Sequence, residues 1–202
     1  MTYTFAHDRA EYDERRAAMA RLVDPGARLP AWPFRSTEGQ VDICEYNEFS
    51  DDEFASALKV LAHAHGDERI SLVVVDPDPE EYHIRDHGHF PCFTVPTAEI
   101  EASYWDAVSF EPNDDPGAAI LYADAFAIFG DSGRWSVWGQ RDWEVVVVHA
   151  DGLTRPWTEG ADLFVSPEDA VARFVQPALA GSRWSQEDAD RFVARMSDPQ
   201  AR

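Results

Sequence analysis

The stretch 118–149, AAILYADAFAIFGDSGRWSVWGQRDWEVVVVH, decides the fold class of this chain. It holds three runs rich in β-branched and aromatic residues, and a short polar turn separates each run from the next. Because short turns join neighbouring strands of opposite direction, the stretch predicts an antiparallel meander. The predicted strands are 118–129 (one long strand or two short ones), 134–138 and 143–149.

Outward from the meander, helical and extended segments alternate on its N-terminal side. The run ISLVVV at 70–75 is almost entirely apolar, which is typical of a central strand buried on both faces. Helices are predicted where apolar residues recur with helical spacing beside capping residues. The remaining predictions are a helix at 8–23, a strand at 41–46, a helix at 51–65, an extended segment at 92–95, and helices at 98–108, 166–175 and 187–196.

This order of elements predicts an α+β fold, with a mixed α/β arrangement as the alternative. We expect one central, largely antiparallel sheet with helices packed on it, and two helices after the C-terminal meander. The 202 residues are suited to a single domain. Its parts would be an N-terminal helix with a proline-rich arm (1–35), a sheet-containing core (36–165) and the C-terminal helices (166–202).

Hydropathy and cysteine content indicate a cytoplasmic protein. No run of about 18 apolar residues predicts a membrane span, and the polar segment 1–16 does not resemble a secretory signal. The chain has two cysteines, Cys44 and Cys92, far apart in sequence. Without a secretion signal they are predicted to be reduced thiols and not a disulfide.

The charge of the chain is strongly negative and unevenly distributed. The formal net charge is −21, and residues 36–133 hold −19 of it, with 22 acidic and 3 basic residues. Such a segment repels nucleic acid and anionic membranes and attracts basic proteins. Solubility or a saline habitat explains the acidity equally well. The partner-binding surface predicted from this charge comprises Glu45, Glu48, Asp51, Asp52, Glu53, Asp76, Asp78 and Glu80, together with Trp138 of the aromatic hairpin.

A second candidate site is the segment HIRDHGHFPC at 83–92, which places three histidines and a cysteine within ten residues. Imidazole and thiolate are ligands that zinc prefers. Neither a C-x2-C pair nor an H-E-x-x-H motif accompanies them, and a solvated polar loop explains the same residues. The candidate zinc ligands are His83, His87, His89 and Cys92.

Three tryptophans, Trp135, Trp138 and Trp143, lie on the predicted hairpin. Alternation along the strand places Trp135 and Trp138 on opposite faces, so one of them would lie away from the main core unless a helix covers it. Packing in the core is the favoured interpretation, and an exposed binding face is the alternative.

No motif in the chain defines a catalytic reaction. It contains no G-x-S-x-G nucleophile turn and no phosphate loop of the G-x-G-x-x-G or G-x-x-x-x-G-K type. Adjacent carboxylates such as Asp114 and Asp115 are explained by turns and helix caps. The sequence therefore favours a protein that is not an enzyme. It predicts no cofactor, with zinc as the alternative.

Residues 132–144, SGRWSVWGQRDWE, resemble a segment of uncharacterised actinobacterial proteins and the small acidic immunity proteins of bacterial polymorphic-toxin systems. The resemblance covers 13 of the 202 residues. It implies a toxin-neutralising binder in which an acidic and aromatic surface blocks a basic toxin site.

Charge and resemblance together predict a non-enzymatic acidic binding protein of the immunity or inhibitor type, with a basic protein such as a toxin as its partner. Two alternatives are open at this point. One is a metal-binding protein or metal-dependent enzyme that uses residues 83–92, and the other is an accessory module of a larger protein assembly. Neither nucleic acid nor a membrane is an expected partner.

Overall fold

The computed structural model describes residues 3–111, 117–152, 162–179 and 185–202, without the side chains of residues 87, 178 and 179. Its strands are β1 (Thr4–Phe5), β2 (Gln40–Glu45), β3 (Arg69–Asp76), β4 (Cys92–Pro96), β5 (Ala125–Gly130), β6 (Trp135–Gln140) and β7 (Val145–Ala150). Within the described residues these strands form one sheet in the order β1-β4-β3-β5-β6-β7-β2. All neighbouring pairs are antiparallel, which confirms the predicted α+β fold.

Helices of very different lengths accompany the sheet. The described helices are α1 (Arg9–Ala20), α2 (Asp52–His65), α3 (Arg85–His87), α4 (Ile100–Val108), α5 (Ala119–Tyr122), α6 (Pro167–Ala170), α7 (Gln176–Leu179) and α8 (Gln186–Ser197). π-helical turns occupy Glu80–Ile84 and Val171–Val175, and 3-10 turns occupy Tyr46–Ser50, Thr97–Glu99, Arg141–Trp143 and Pro199–Ala201. In this part of the chain, no helix is both long and apolar enough to cross a membrane.

Two hydrophobic clusters place the sheet between two helical layers. On one face, Phe54 and Leu58 of α2 pack with Tyr104 of α4 against the strands. On the other face, Tyr12 of α1 and Phe192 of α8 belong to a second cluster. Because both faces are covered, both alternating sets of strand side chains are buried. Every residue of β5, β6 and β7 is accordingly buried.

The predicted meander is present, since β5, β6 and β7 pair in sequence order. Its first run, predicted as strand over 118–129, divides into the short helix α5 and the strand β5. The Tyr122 N–H donates to the Ala118 carbonyl at 3.0 Å and closes the helical turn. The prediction is wrong for this half of the run, because a short apolar run does not by itself distinguish helix from strand.

The tryptophans of the hairpin are core residues on both faces of the sheet. Trp135 is 1% exposed and packs in the α2–α4 cluster, whereas Trp138 is 0% exposed and packs in the α1–α8 cluster. Trp143 stacks on Phe192, with ring centroids 5.3 Å apart. Packing in the core is therefore the observed arrangement. Trp138 presents no surface to a partner, which corrects its place in the predicted binding surface.

The two cysteines are free and buried. Cys44 belongs to the α2–α4 cluster and Cys92 to the α1–α8 cluster. The thiols therefore lie on opposite faces of the sheet, which accounts for the absence of a disulfide between them.

Candidate functional site

One end of the sheet brings together carboxylates from separate parts of the chain. β2 ends at Glu45, which pairs with Val145 at the start of β7. β6 ends at Gln140, which pairs with Val145 on one side and with Ala125 at the start of β5 on the other. Ala125 in turn pairs with Asp76 at the end of β3. We call this region the acidic end, and define its carboxylates as Glu45, Glu48, Asp51, Asp76, Asp124, Asp142 and Glu144.

Glu48 lies in an environment at the acidic end that disfavours its charge. It lies on the 3-10 turn that continues β2, and its Oε2 atom is buried and forms no hydrogen bond with a described residue. Burial raises the pKa of Glu48, and the neighbouring Glu45 and Asp51 raise it further. A carboxylate in this position is stabilised by any cation that approaches it.

Glu144 connects the turn Arg141–Trp143 to β7 in a conformation unusual for its residue type. Its φ is 54°, in the left-handed region that favours glycine. Its carbonyl accepts a hydrogen bond from the Tyr46 N–H at 2.9 Å, which ties this turn to the end of β2. Burial and then Glu45 raise the pKa of Glu144, and Arg141 partly offsets them. Backbone strain and a disfavoured charge therefore coincide at this residue.

Two carboxylates of the acidic end are already paired with arginine. Arg28 Nη2 lies 3.1 Å from Asp76 Oδ2, and Arg141 Nε lies 3.2 Å from Asp124 Oδ1. Arg141 also donates to backbone carbonyls of the segment 120–123. Its guanidinium is thus held by the chain that precedes β5, and it forms no ion pair with another described acid of this end.

The other carboxylates of the acidic end are not compensated in this way. Between the described residues, no ion pair with Lys or Arg forms at Glu45, Glu48, Asp51, Asp142 or Glu144. A cavity of about 420 Å³ at this end is lined by four carboxylates, those of Asp76, Asp124, Asp142 and Glu144, and by two arginines, Arg28 and Arg141. The arrangement can accept cationic side chains.

The acidic residues that the sequence predicts to form one partner-binding surface lie in two different regions of the structure. Glu45, Glu48 and Asp51 lie at the acidic end, and Asp52 and Glu53 follow in the exposed first turn of α2. Their side chains therefore extend the same negative region toward solvent.

Asp78 and Glu80 are engaged within the chain. Asp78 Oδ1 accepts the Glu80 N–H at 2.8 Å and begins the π-helical turn. Arg9 Nη2 donates to Glu80 Oε2 at 2.7 Å, and this interaction lowers the pKa of Glu80. Because α1 already compensates its charge, we leave Glu80 out of the acidic end.

Sequence reasoning missed Asp124, Asp142 and Glu144. None of them lies in the densest acidic runs of the sequence. The sequence held one signal for Glu144, which lies at the start of the third predicted meander strand. If that strand, 143–149, pairs with the predicted strand 41–46, Glu144 is placed beside Glu45. Which strands pair is a property of the tertiary structure, and the local pattern does not state it.

The candidate zinc ligands are only partly brought together. His83 is 0% exposed, and its ring centroid lies 5.1 Å from that of His89. Cys92 Sγ accepts a hydrogen bond from Arg15 at 3.6 Å, and burial raises the pKa of Cys92 and disfavours the thiolate that a metal would need. The His87 side chain lies outside the described residues. Among the described residues, no group of three or more His, Cys, Asp or Glu side chains is arranged to hold a metal ion.

Comparisons of this chain with protein-family models, curated proteins and solved structures give no match. The fold and the site geometry together define an α+β protein with carboxylates concentrated at one end of its sheet.

Proposed function

We propose that this chain is a non-enzymatic binding protein of the immunity or inhibitor type, and that its acidic end neutralises a basic protein partner such as a toxin. The observation that supports this proposal most strongly is the convergence of carboxylates that form no ion pair with a described residue, at the ends of β2 and β6 and the start of β7. Two of them, Glu48 and Glu144, have a raised pKa because of burial and mutual repulsion.

A basic partner would relieve this repulsion. Lysine or arginine side chains placed between Glu45, Glu48 and Glu144 would form charge-assisted hydrogen bonds with these carboxylates. The net charge of −21 would also accelerate encounter with a cationic protein through electrostatic steering. We place the protein in the cytoplasm, a location supported by its two free buried thiols.

The proposal is tested by affinity capture followed by variants of the acidic end. Proteins of the source organism retained on the immobilised chain at about 50 mM salt are identified, and their affinities are measured by calorimetry. We expect a basic protein to be captured. The triple variant Glu45→Gln/Glu48→Gln/Glu144→Gln should bind this protein at least about tenfold more weakly than the unmodified chain does, because charged pairs at an interface contribute strongly to affinity.

The matched control is Glu14→Gln/Glu168→Gln/Glu187→Gln, which removes three exposed carboxylates on α1, α6 and α8. Its affinity should stay close to that of the unmodified chain. Capture of no basic protein at low salt, or an equal loss in both triple variants, would refute the proposal.

A further inference from the structure

A second cavity lies at the opposite end of the sheet from the acidic end. Trp135 at the start of β6 pairs with Ala150 at the end of β7, and both mark this end. The cavity measures about 310 Å³. We call it the arginine pocket, and its polar lining side chains are Arg21, Arg35, Ser36, Arg134, Ser136, His149 and Asp151.

Three arginines from separate segments line the arginine pocket. Arg21 follows the last residue of α1, Arg35 lies in the loop before β2, and Arg134 immediately precedes β6. Arg21 and Arg134 form no ion pair with any described residue. Arg35 donates to the Ala20 carbonyl at 3.3 Å and has an exposed ionic contact of 3.7 Å with Asp24. Such exposed contacts contribute little.

The charge of this pocket is opposite to that of the molecule. The described lining residues comprise three arginines and one carboxylate, that of Asp151. The chain has only 17 basic residues against 38 acidic ones. Concentration of arginines in one cavity of such a protein is not explained by solubility, which the surrounding acids already provide.

A buried serine forms part of the wall of the pocket. Ser136 is 3% exposed and is one of the lining residues. A serine hydroxyl can donate a hydrogen bond to a ligand oxygen.

His149 completes the wall beside Ser136, its partner in the β6–β7 ladder. The ring stacks on Phe34 at 4.9 Å, and its Nε2 lies 2.7 Å from the Glu38 carbonyl oxygen. Burial lowers the pKa of His149, which favours the neutral imidazole. The ring is thus fixed in place, and the positive charge of the pocket comes from the arginines.

We propose that the arginine pocket binds a phosphate group, either as inorganic phosphate or as the phosphate of a small monoester. A phosphate bears a charge of about −1.5 to −2 at pH 7, which offsets the excess of two positive charges in the pocket. Planar guanidinium groups match phosphate oxygens in bidentate geometry, and the Ser136 hydroxyl supplies a further donor.

Titration of the full chain with inorganic phosphate and with phenyl phosphate, followed by NMR and calorimetry in low-chloride buffer at pH 7, tests the proposal. Arg134→Gln should weaken binding by about 10- to 100-fold, because it removes a charge-assisted hydrogen bond. Ser136→Ala should weaken it by about two- to tenfold, since a neutral hydrogen bond contributes less.

Arg191→Gln is the matched control, because Arg191 is an exposed arginine of α8 that pairs with Asp188 outside the pocket. It should bind phosphate as the unmodified chain does, and so should Glu45→Gln/Glu48→Gln/Glu144→Gln. Equal binding of both ligands means that the phosphate group alone is recognised, whereas binding of the ester alone adds a contribution from its organic part. Either result supports the site.

Two results would overturn the proposal. One is the absence of binding of either ligand to the unmodified chain at concentrations on the order of 10 mM. The other is an equal loss of affinity in Arg134→Gln and Arg191→Gln. Arg134 is exposed, so Arg134→Gln should leave the midpoint of unfolding unchanged. If Arg134→Gln shifts that midpoint, Arg21→Gln serves as a second variant of the pocket.

Discussion

Asp67 connects the end of α2 to the turn between β5 and β6. It is 6% exposed, and its carboxylate accepts hydrogen bonds from the backbone N–H of Ser132 and from Trp135 Nε1, the latter at 2.6 Å. Asp67→Ala would leave both donors without a partner. We expect a loss of about 3 kcal/mol in the free energy of unfolding, measured by urea denaturation.

Asp131→Ala is the neighbouring control for Asp67. The Asp131 carboxylate pairs with Arg69 at 3.0 Å on the surface. An exposed ion pair contributes at most about 1 kcal/mol. A result in which Asp67→Ala costs no more than Asp131→Ala would contradict the role assigned to Asp67.

The sequence did not distinguish Asp67 from the other acids of the −19 segment. Asp67 and Glu68 are adjacent and both acidic, yet Asp67 is buried whereas Glu68 is exposed. Burial of a single carboxylate depends on which distant groups fold against it, here Ser132 and Trp135. A count of charged residues in the sequence treats Asp67 as a surface charge, although its carboxylate is buried and accepts hydrogen bonds within the fold.

At the scale of the elements, Gly139 lets the Phe126 side chain of β5 lie against the backbone of β6. Gly139 pairs with Phe126, and a Cβ atom at this position would lie 2.3 Å from the Phe126 ring. That ring is 0% exposed and packs on Phe49 at 4.5 Å, so it has little room to move. Gly139→Ala should cost about 1–3 kcal/mol in unfolding free energy, as overpacked cores do.

Two further variants isolate the steric origin of this effect. Gly26→Ala serves as the control, because its nearest neighbour would lie 3.5 Å away, at an ordinary contact distance. Adding Phe126→Leu to Gly139→Ala should recover part of the loss, since the smaller side chain makes room. If Gly139→Ala and Gly26→Ala unfold at the same urea midpoint, the close approach does not limit stability.

Most elements were predictable because their signals are local. The helix at 51–65 and the strand at 70–75 agree with α2 and β3 to within a residue or two. The two-residue strand β1 was missed, since it is defined by pairing with β4 and has almost no pattern of its own. The helix α5 was missed because four apolar residues satisfy both periodicities.

At the scale of the whole molecule, the acidic end makes stability depend on pH. The folded-state pKa of Glu48 is raised above its ordinary value of 4.5, so the folded chain binds the proton more tightly than the unfolded chain. The resulting stabilisation is present at low pH and is lost as pH rises from 4.5 through the raised pKa. Glu48→Gln should therefore stabilise the protein at pH 7 and have no effect below about pH 4.

The expected gain at pH 7 is a few tenths to about 1 kcal/mol, because solvent screens this partly exposed group. Thermal unfolding of the variant between pH 4 and pH 8 measures it. Glu187→Gln removes an exposed carboxylate from the first turn of α8, where the helix dipole favours negative charge, and should give no gain. A gain for Glu48→Gln that does not change with pH would rule out the charge as its cause.

The sequence by itself determined the fold class, most element positions, the meander and the uneven charge. These follow from local propensity, from periodicity and from composition, which a linear pattern records completely. Only the tertiary structure decided that Trp138 is buried, that Glu45 and Glu144 meet, and that Arg21, Arg35 and Arg134 line one cavity. Strand order and a second helical layer set these outcomes, because they bring together residues that are far apart in the sequence, such as Glu45 and Glu144.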